Sequence, residues 1–410
     1  MVVTPWDVIV VGGGPAGSAT ALHLAAAGVR VLVVERAHFP RHKACSEYLS
    51  PETTRLLDRM GHGVLAAVEH AAPARLFGMK VTAPNGETMC GRFAAGHEFP
   101  SPRPYSFALP RVVFDGILLE AAERAGAVVR QGVAVEGLVA DRGPVAGVIV
   151  RSAGGARETW PARAVVGADG LHSLVARRLG MTRRGPPSRI ALSAHVAEVA
   201  GVDDMGELHV SERGYVGMGP IGDGVTTIAL VLPLSAIRAG GRDVRGRFYS
   251  ELERFPGLRG RIAPGRQVRE ILVTGPFARW SRRSVAPQGG ALLVGDAADF
   301  FDPFTGQGIY SALRGAELAT AALVPALERP APVTQGALAG YRSARGATFT
   351  GKWVLERMIG LGVGWPALTN RVVHRLSRRP DLADLVVGAT GNFVPAGRVL
   401  APSVLARLLW

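Results

Sequence analysis

Lysine is almost missing from this chain. Lys43, Lys80 and Lys352 are the only three in 410 residues, so arginine carries nearly all of a formal charge of +14. The arginines are scattered, with only short pairs such as Arg177-Arg178, Arg183-Arg184, Arg282-Arg283 and Arg378-Arg379. A nucleic-acid surface would cluster them on one element and interleave aromatics, so no nucleic-acid partner is expected. An anionic ligand or membrane surface matches the charge better. Cysteine is scarce as well. Cys45 and Cys90 make no disulfide framework, which points to a reducing, cytoplasmic compartment. No window offers about 18 uncharged apolar residues, which excludes a transmembrane helix. No basic leader precedes the apolar run Trp6–Val11, so no secretory signal is expected. Repeats and low-complexity linkers are lacking.

What is present is 48 % apolar residues, 53 glycines and 28 prolines: short buried segments separated by many turns. Val8–Val11 reads as a buried strand, Gly12–Gly17 as a tight turn, Ala16–Ala27 as a helix of small residues, and Val29–Val34 as a second strand ending in Glu35. That order is the βαβ unit of a parallel sheet. Ala37–Pro51 reads as a loop, Thr53–Val68 as a helix, and Leu76–Arg92 as a hairpin around Pro84-Asn85-Gly86. A helix over Arg111–Ala125 follows, then two strands within Val128–Val150 around Asp141-Arg142-Gly143, and a strand over Arg163–Ala168. Asp169-Gly170 and a helix to about Leu179 come next. Ile190–Pro233 alternates with glycine-rich turns (strands Ala191–Ala197, Glu207–Val210, Val225–Leu232), as in an antiparallel sheet. Gly246–Phe255 reads as a helix, Ala291–Val294 as a buried strand and Gly308–Ala322 as a small-residue helix. The chain from Ala337 onward is mostly helical in pattern.

The first chemical motif is Gly12-Gly13-Gly14-Pro15-Ala16-Gly17. Gly12 permits the sharp turn off the strand, Gly14 lets a pyrophosphate approach the backbone, and Gly17 lets helix and strand pack closely. The helix N-terminus then aims free N–H groups at phosphate. Glu35, 18 residues past Gly17, is placed to bind a ribose. These residues alone specify a dinucleotide. Two later segments narrow it: Gly167-Ala168-Asp169-Gly170, and Gly295-Asp296-Ala297-Ala298 followed by Pro303-Phe304-Thr305-Gly306-Gln307-Gly308-Ile309.

With these three ordered motifs the sequence strongly resembles the superfamily of para-hydroxybenzoate hydroxylase and geranylgeranyl reductase, the single-component FAD-dependent oxidoreductases. The resemblance spans the glycine turn through at least Ala322. It implies FAD as cofactor, with NADH or NADPH as electron donor. It also implies roles: Asp296 with Gly295 at the ribityl chain, the Pro303 and Gly306–Ile309 backbone (Gln307 and Gly308 included) against the isoalloxazine, Arg111 near the phosphates, and Ala134 at the adenine. Asp169 matches the acid of the middle motif. Physically it could instead cap the next helix. Arg36, next to Glu35, joins the cofactor-binding set.

The implied fold is α/β plus α+β: a Rossmann-type FAD-binding domain (1–75, 101–180 and 285–330), an inserted antiparallel-sheet substrate domain (76–100 and 181–284) and a helical C-terminal region (331–410).

The segment Phe39–Pro51 carries Arg41, Lys43, Ala44 and Cys45 as further cofactor-binding candidates, and its two cations, Arg41 and Lys43, could meet flavin or phosphate oxygens. The geranylgeranyl reductase branch has here a cysteine followed by two glycines. Cys45 matches, and Ser46 and Glu47 replace the glycines. Cys45 is therefore either a reactive thiol beside cations or a small packing residue. The branch's aromatic motif, roughly Tyr-x-Trp-x-Phe-Pro, is nearest to Tyr215-Val216-Gly217-Met218-Gly219-Pro220, so two aromatic walls are lost at Gly217 and Gly219. The Trp-x-Trp-x-Ile-Pro signature of flavin halogenases is absent. Cys45 and Tyr215 are the candidate catalytic residues. Phe393–Trp410 is apolar with Arg398 and Arg407, and either lies on a membrane surface or packs on its own protein.

No Ser-His-Asp set, metal-binding cysteine pair or paired-carboxylate site stands out, so the chemistry falls to the cofactor. Three readings follow. The leading one is a monooxygenase using NAD(P)H and O2 on an apolar phenolic, polyketide-derived or lipidic small molecule. The others are a reductase of prenyl double bonds, with Cys45 as proton donor, and a non-enzymatic flavin-binding module. The sequence determines neither the substrate nor the oligomeric state.

Overall fold

The computed structural model describes residues 4–94, 96–140, 143–151, 155–186, 188–238, 243–281 and 283–409. The expected turn at Asp141-Arg142, Arg282 and the terminal Trp410 lie outside the described residues.

β1 (Trp6–Val11) leads through the glycine turn into α1 (Pro15–Ala26), and β2 (Val31–Glu35) returns parallel to it. Val8, Ile9 and Val10 are completely buried, each contributing about 1.5–3 kcal/mol of hydrophobic stabilisation. Next come α2 (Pro51–Met60) and α3 (Val64–His70). The sequence suggested one helix here. Gly61, His62 and Gly63 all take positive φ (69°, 50° and 70°) and break it in two. The expected hairpin is β3 (Gly78–Thr82) with β4 (Thr88–Arg92).

α4 (Arg111–Arg124) is followed by β5 (Val128–Gln131), β6 (Ala134–Val139), β7 (Gly147–Arg151) and β8 (Arg157–Gly167). Val128–Val150 therefore holds three strands rather than two, because Gly132 at φ 73° turns the chain between β5 and β6. β8 begins six residues before the apolar run at Arg163. Its first half pairs antiparallel with β7 and its second half parallel with β1, so only the second half is core.

After α5 (Leu174–Arg178) the chain forms β9 (Arg189–Ala197), β10 (Gly206–Ser211), β11 (Gly214–Gly222) and β12 (Val225–Pro233). β11 was not legible as a strand, since Gly214, Gly217, Gly219 and Gly222 interrupt its pattern. α6 (Val244–Leu252) and β13 (Gln267–Thr274) complete this layer, and β14 (Ala291–Leu293) returns to the first sheet beside β8. The long helices α7 (Gly308–Leu327) and α8 (Ala339–Gly362) follow, then α9 (Pro366–Ser377), α10 (Pro380–Thr390), α11 (Ala396–Val399) and α12 (Pro402–Leu409).

Two seven-stranded sheets result. The first runs β5-β2-β1-β8-β7-β6, with β14 also on β8. The second runs β13-β9-β12-β11-β10-β3-β4. The hairpin β3–β4 thus joins a sheet otherwise built from residue 189 onward. Its contact with β10 is parallel, so that sheet is mixed rather than purely antiparallel. No helix among the described residues is long and apolar enough to cross a membrane.

Small residues set the spacing between α1, β1 and α7. A Cβ on Gly17 would stand 1.8 Å from the carbonyl oxygen of Gly12, and one on Gly295 would stand 2.8 Å from the Cβ of Ala16. Gly17→Ala is expected to cost about 3 kcal/mol or more, because a backbone atom cannot rotate away. Gly116→Ala, inside α4 with nothing within 4 Å, should stabilise by about 1 kcal/mol. Thermal denaturation of the two variants checks both signs.

Candidate cofactor site and apolar tunnel

Both glycine-rich turns open into one cavity of 1240 Å³ between the two sheets and the C-terminal helices. At one end Gly12 takes φ 103°, a conformation L side chains avoid. A Cβ on Gly14 would project toward Arg41 Nη2 at 3.6 Å, so the backbone there is bare toward the cavity. α1 starts with no side-chain cap and no acid in its first turn, leaving its positive end free for an anion. Glu35 is buried at the end of β2. Its two carboxylate oxygens accept from Gly13 N (2.8 Å) and Ala37 N (2.9 Å), which fixes the acid at the edge of the turn with lone pairs to spare. Arg36, Pro15, Ala16 and Ala134 line the cavity around it.

The cations behind this turn depend on Asp115, a residue the sequence reading did not single out. Asp115 is fully buried. It accepts both arms of Arg111, at 2.5 Å from Nε and 2.7 Å from Nη2, and holds Arg41 Nη1 at 3.2 Å. Burial works against charge on Arg111, but Asp115 outweighs it and holds the guanidinium firmly protonated. Two cations on one carboxylate leave a net positive charge beside the helix N-terminus, as a pyrophosphate needs.

At the other end Asp296 reaches the cavity from the Gly295 turn, with no hydrogen bond to the described residues. Burial pushes its carboxyl up to about 6, against the pull of Lys43 and Arg111. Lys43 is exposed toward the cavity, and desolvation together with Arg111 lowers its ammonium pKa. Asp169 takes the capping role open to it in sequence and keeps one oxygen free. Its Oδ2 caps α5 by accepting from Leu174 N (2.6 Å) and Val175 N (3.2 Å), while its Oδ1 is buried without a partner. Gly306 is left-handed (φ 65°) and packs on Tyr48. Gln307 donates to Ala389 O at 2.9 Å, tying the Pro303–Gly308 loop to α10. α7 then begins at Gly308 without a side-chain cap, so a second helix N-terminus faces the same cavity. Ile309 lines it too. A bare glycine cradle, an unpartnered Asp296, an orphaned oxygen on Asp169 and two open helix N-termini fit an extended dinucleotide with a polar linker.

Residues 5–347 match the family described as FAD binding domain. The chain belongs to that family. As a member it is an FAD-dependent oxidoreductase, and its relatives include both monooxygenases and prenyl reductases. It is 29% identical to menaquinone reductase of Mycolicibacterium smegmatis, over 82% of this chain and 78% of that one. It is 30% identical to digeranylgeranylglycerophospholipid reductase 2 of Methanopyrus kandleri, over 79% and 78%. Rifampicin monooxygenase of Streptomyces venezuelae is 29% identical over 74% of this chain and 61% of the relative. A flavoprotein/dehydrogenase structure from Cytophaga hutchinsonii superposes with TM-score 0.83, covering 98% of this chain and 96% of that one at 20% identity.

Within this flavoprotein the two catalytic candidates are placed differently. Cys45 lines the cavity beside Arg111, its sulfur accepting from Glu47 N at 3.3 Å and its carbonyl from Ser193 Oγ at 3.3 Å. Tyr215 lines it from β11, but its hydroxyl donates to Asp302 Oδ1 at 2.5 Å, and Asp302 also holds Arg189 at 2.7 Å. Burial and then Asp302 push the phenol well above its ordinary range, so it stays protonated. The geometry makes Tyr215 an anchor of the loop that begins at Pro303.

Glu47 keeps a glycine-like backbone (φ 61°) where the resemblance expects a glycine. Its side chain turns inward to His195 Nε2 at 2.7 Å. On α8, Glu356 Oε1 accepts from Lys352 Nζ at 2.6 Å and from Thr305 Oγ1 at 3.2 Å, beside the Pro303–Gly308 loop. Burial raises the Glu356 carboxyl and Lys352 opposes it. Lysine scarcity was the only sequence signal for this pair.

Beyond the loop the cavity becomes an apolar tunnel walled by Leu76, Met79 and Met89 on one side and Val373, Leu376, Val387 and Leu408 on the other. Gly217 and Gly219 line it. A Cβ on Gly217 would meet Leu208 at 3.5 Å, and one on Gly219 would meet Leu76 at 3.6 Å and the Cα of Gly206 at 3.8 Å, all ordinary contacts, so the missing aromatics leave width.

Two outcomes follow. Asp115→Asn should weaken FAD binding at least about tenfold in a titration, although it adds net positive charge, because Arg111 and Arg41 lose their common anchor. Unchanged or tighter binding would refute the anchoring role. Asp296 holds its proton to about pH 6 when folded, against 3.8 ordinarily. Protonation therefore stabilises the cofactor-free fold, and stability falls as pH rises from 4 through 6. Asp296→Asn should flatten that slope and raise the melting temperature at pH 7, by on the order of 1–3 kcal/mol of stability.

Proposed function

We propose that the protein is an FAD-dependent monooxygenase that draws electrons from NADH or NADPH and uses O2 on a small molecule with a reactive ring or alkene and a long apolar tail. The observation that carries this reading is the continuity of the cavity: one space of 1240 Å³ holds the dinucleotide cradle and the apolar tunnel. A drug-sized ligand needs roughly 300–1,000 Å³, so cofactor and a tailed substrate fill it together.

Bound FAD supplies the transfer of electrons between the nicotinamide donor, oxygen and substrate. The chain's own residues do the rest. Arg111 and Arg41, on the frame of Asp115, would hold the phosphates. Asp296 and the free Oδ1 of Asp169 would accept hydrogen bonds from the cofactor's hydroxyl groups. The N-terminus of α7 would steady negative charge on the bound cofactor. Leu76, Met79, Val373 and Leu376 bind the tail and keep water out. Glu356, hydrogen-bonded to Lys352 and Thr305, is placed to take or return a proton at that end.

A second reading is favoured by Cys45, whose sulfur lies in the same cavity beside Arg111. There the protein saturates a double bond of a prenyl chain and Cys45 delivers the proton.

Oxygen separates the two. Under the first reading a tailed phenol should stimulate NAD(P)H oxidation and gain one oxygen atom in air, with no turnover under strict anaerobiosis. Anaerobic product two hydrogens heavier, made with a chemical reductant and lost in Cys45→Ala, would favour the second. In either case KM should fall about two- to fourfold per added methylene until the tunnel is full. Gly219→Phe should raise KM for the long-tailed substrate more than for a short analogue. A KM indifferent to tail length would sink both.

A further inference from the structure

The C-terminal tail is the most apolar stretch near the end of the chain, yet its side chains are spent indoors. Leu408 is buried, and Leu405 and Val404 pack with it against the cluster that walls the tunnel. The exposed apolar surface lies elsewhere. Eight large hydrophobic residues are exposed among the described residues, and four of them are Val354, Met358, Leu361 and Trp365. They are 44, 44, 66 and 63 % exposed. Their spacing of four, three and four residues puts them along one side of α8 and the turn that follows it. Met358 and Trp365 also line the cavity, with the exposed Ala367 and Arg371, so this stripe rims an opening of the tunnel.

The exposed charges of the segment itself have one sign. Between residues 354 and 371 the only acid is Glu356, buried against Lys352, whereas Arg357 and Arg371 are exposed. Two such faces brought together by a twofold axis would set arginines against arginines with no exposed acid from this segment to offset them. An interface with apolar depth and negative headgroups suits the combination of tryptophan, leucine, methionine and arginine.

We propose that the α8–α9 face, centred on Met358, Leu361 and Trp365, docks on the surface of an anionic phospholipid bilayer, with the tunnel mouth turned toward the lipid. Contact through this face is independent of the reaction at the flavin. It rests on the tailed-substrate reading only for the claim that the substrate enters here.

The test is sedimentation of the FAD-loaded protein with phosphatidylcholine vesicles, with and without phosphatidylglycerol. The wild type should partition at least about tenfold more onto the vesicles containing phosphatidylglycerol, and added salt should reduce this. The double variant Val354→Asp/Leu361→Asp, whose side chains lie outside the cavity wall, should lose that binding while keeping its bound-flavin spectrum. The proposal is overturned if the wild type stays in solution with both vesicles, binds both equally, or binds no better than the double variant. It is also overturned if light scattering shows that Leu361→Asp splits an oligomer while vesicles leave the wild type unbound. None of these outcomes depends on turnover.

Discussion

A side-chain carbon on Gly17 would stand 1.8 Å from the backbone of Gly12, a distance no packing arrangement accommodates. The first helix can therefore lie on the first strand only as bare backbone. Gly295 repeats the device from the opposite side, where a Cβ would press on Ala16 at 2.8 Å. These approaches bring α1, β1 and the Gly295 turn into one compact junction. Because they are so close, the N-termini of α1 and α7 face a single cavity. Two separate positive helix ends become the two ends of one dinucleotide groove.

Around that junction the protein buries charge in fixed sets. Asp115 gathers Arg111 and Arg41, Asp302 gathers Arg189 and Tyr215, and Glu47 meets His195. Breaking any such set strands a buried charge, which is far more costly than the net worth of the pair. Each set joins segments distant in the chain, so it acts as a register pin. Asp302 ties β9 and β11 of the second sheet to the loop that begins at Pro303, and Glu47 ties the Cys45 segment to β9. Along the cavity, Asp296 and Asp169 differ, since each keeps carboxylate oxygen without a partner among the described residues. These are the acids left free to meet hydroxyl groups of a cofactor.

The second sheet and the C-terminal helices play a different part. They enclose mainly apolar volume, and the glycines of β11 line it where the resembling reductases carry aromatics. The terminal helices α11 and α12 close the tunnel with their apolar sides, which leaves α8 as the helix with an uncovered apolar stripe.

The dinucleotide cradle was legible in the sequence because its constraints are local. A glycine turn, a small-residue helix and an acid at the end of the next strand lie within 24 residues of each other, and their spacing alone carries the chemistry. The same holds for the Asp169 and Gly295–Ile309 turns. What sequence could not decide were features made by chain segments far apart. Asp115 looks like any helical acid until Arg41 arrives from a loop more than 70 residues earlier. Nothing near Tyr215 in sequence shows that its hydroxyl is held by Asp302, 87 residues on. Composition left the tail either on a membrane surface or packed on its own protein, and only packing could show that Leu408 is buried inside while Leu361 is not. Local geometry is written in neighbouring residues, whereas partnership and exposure depend on what the rest of the chain folds against.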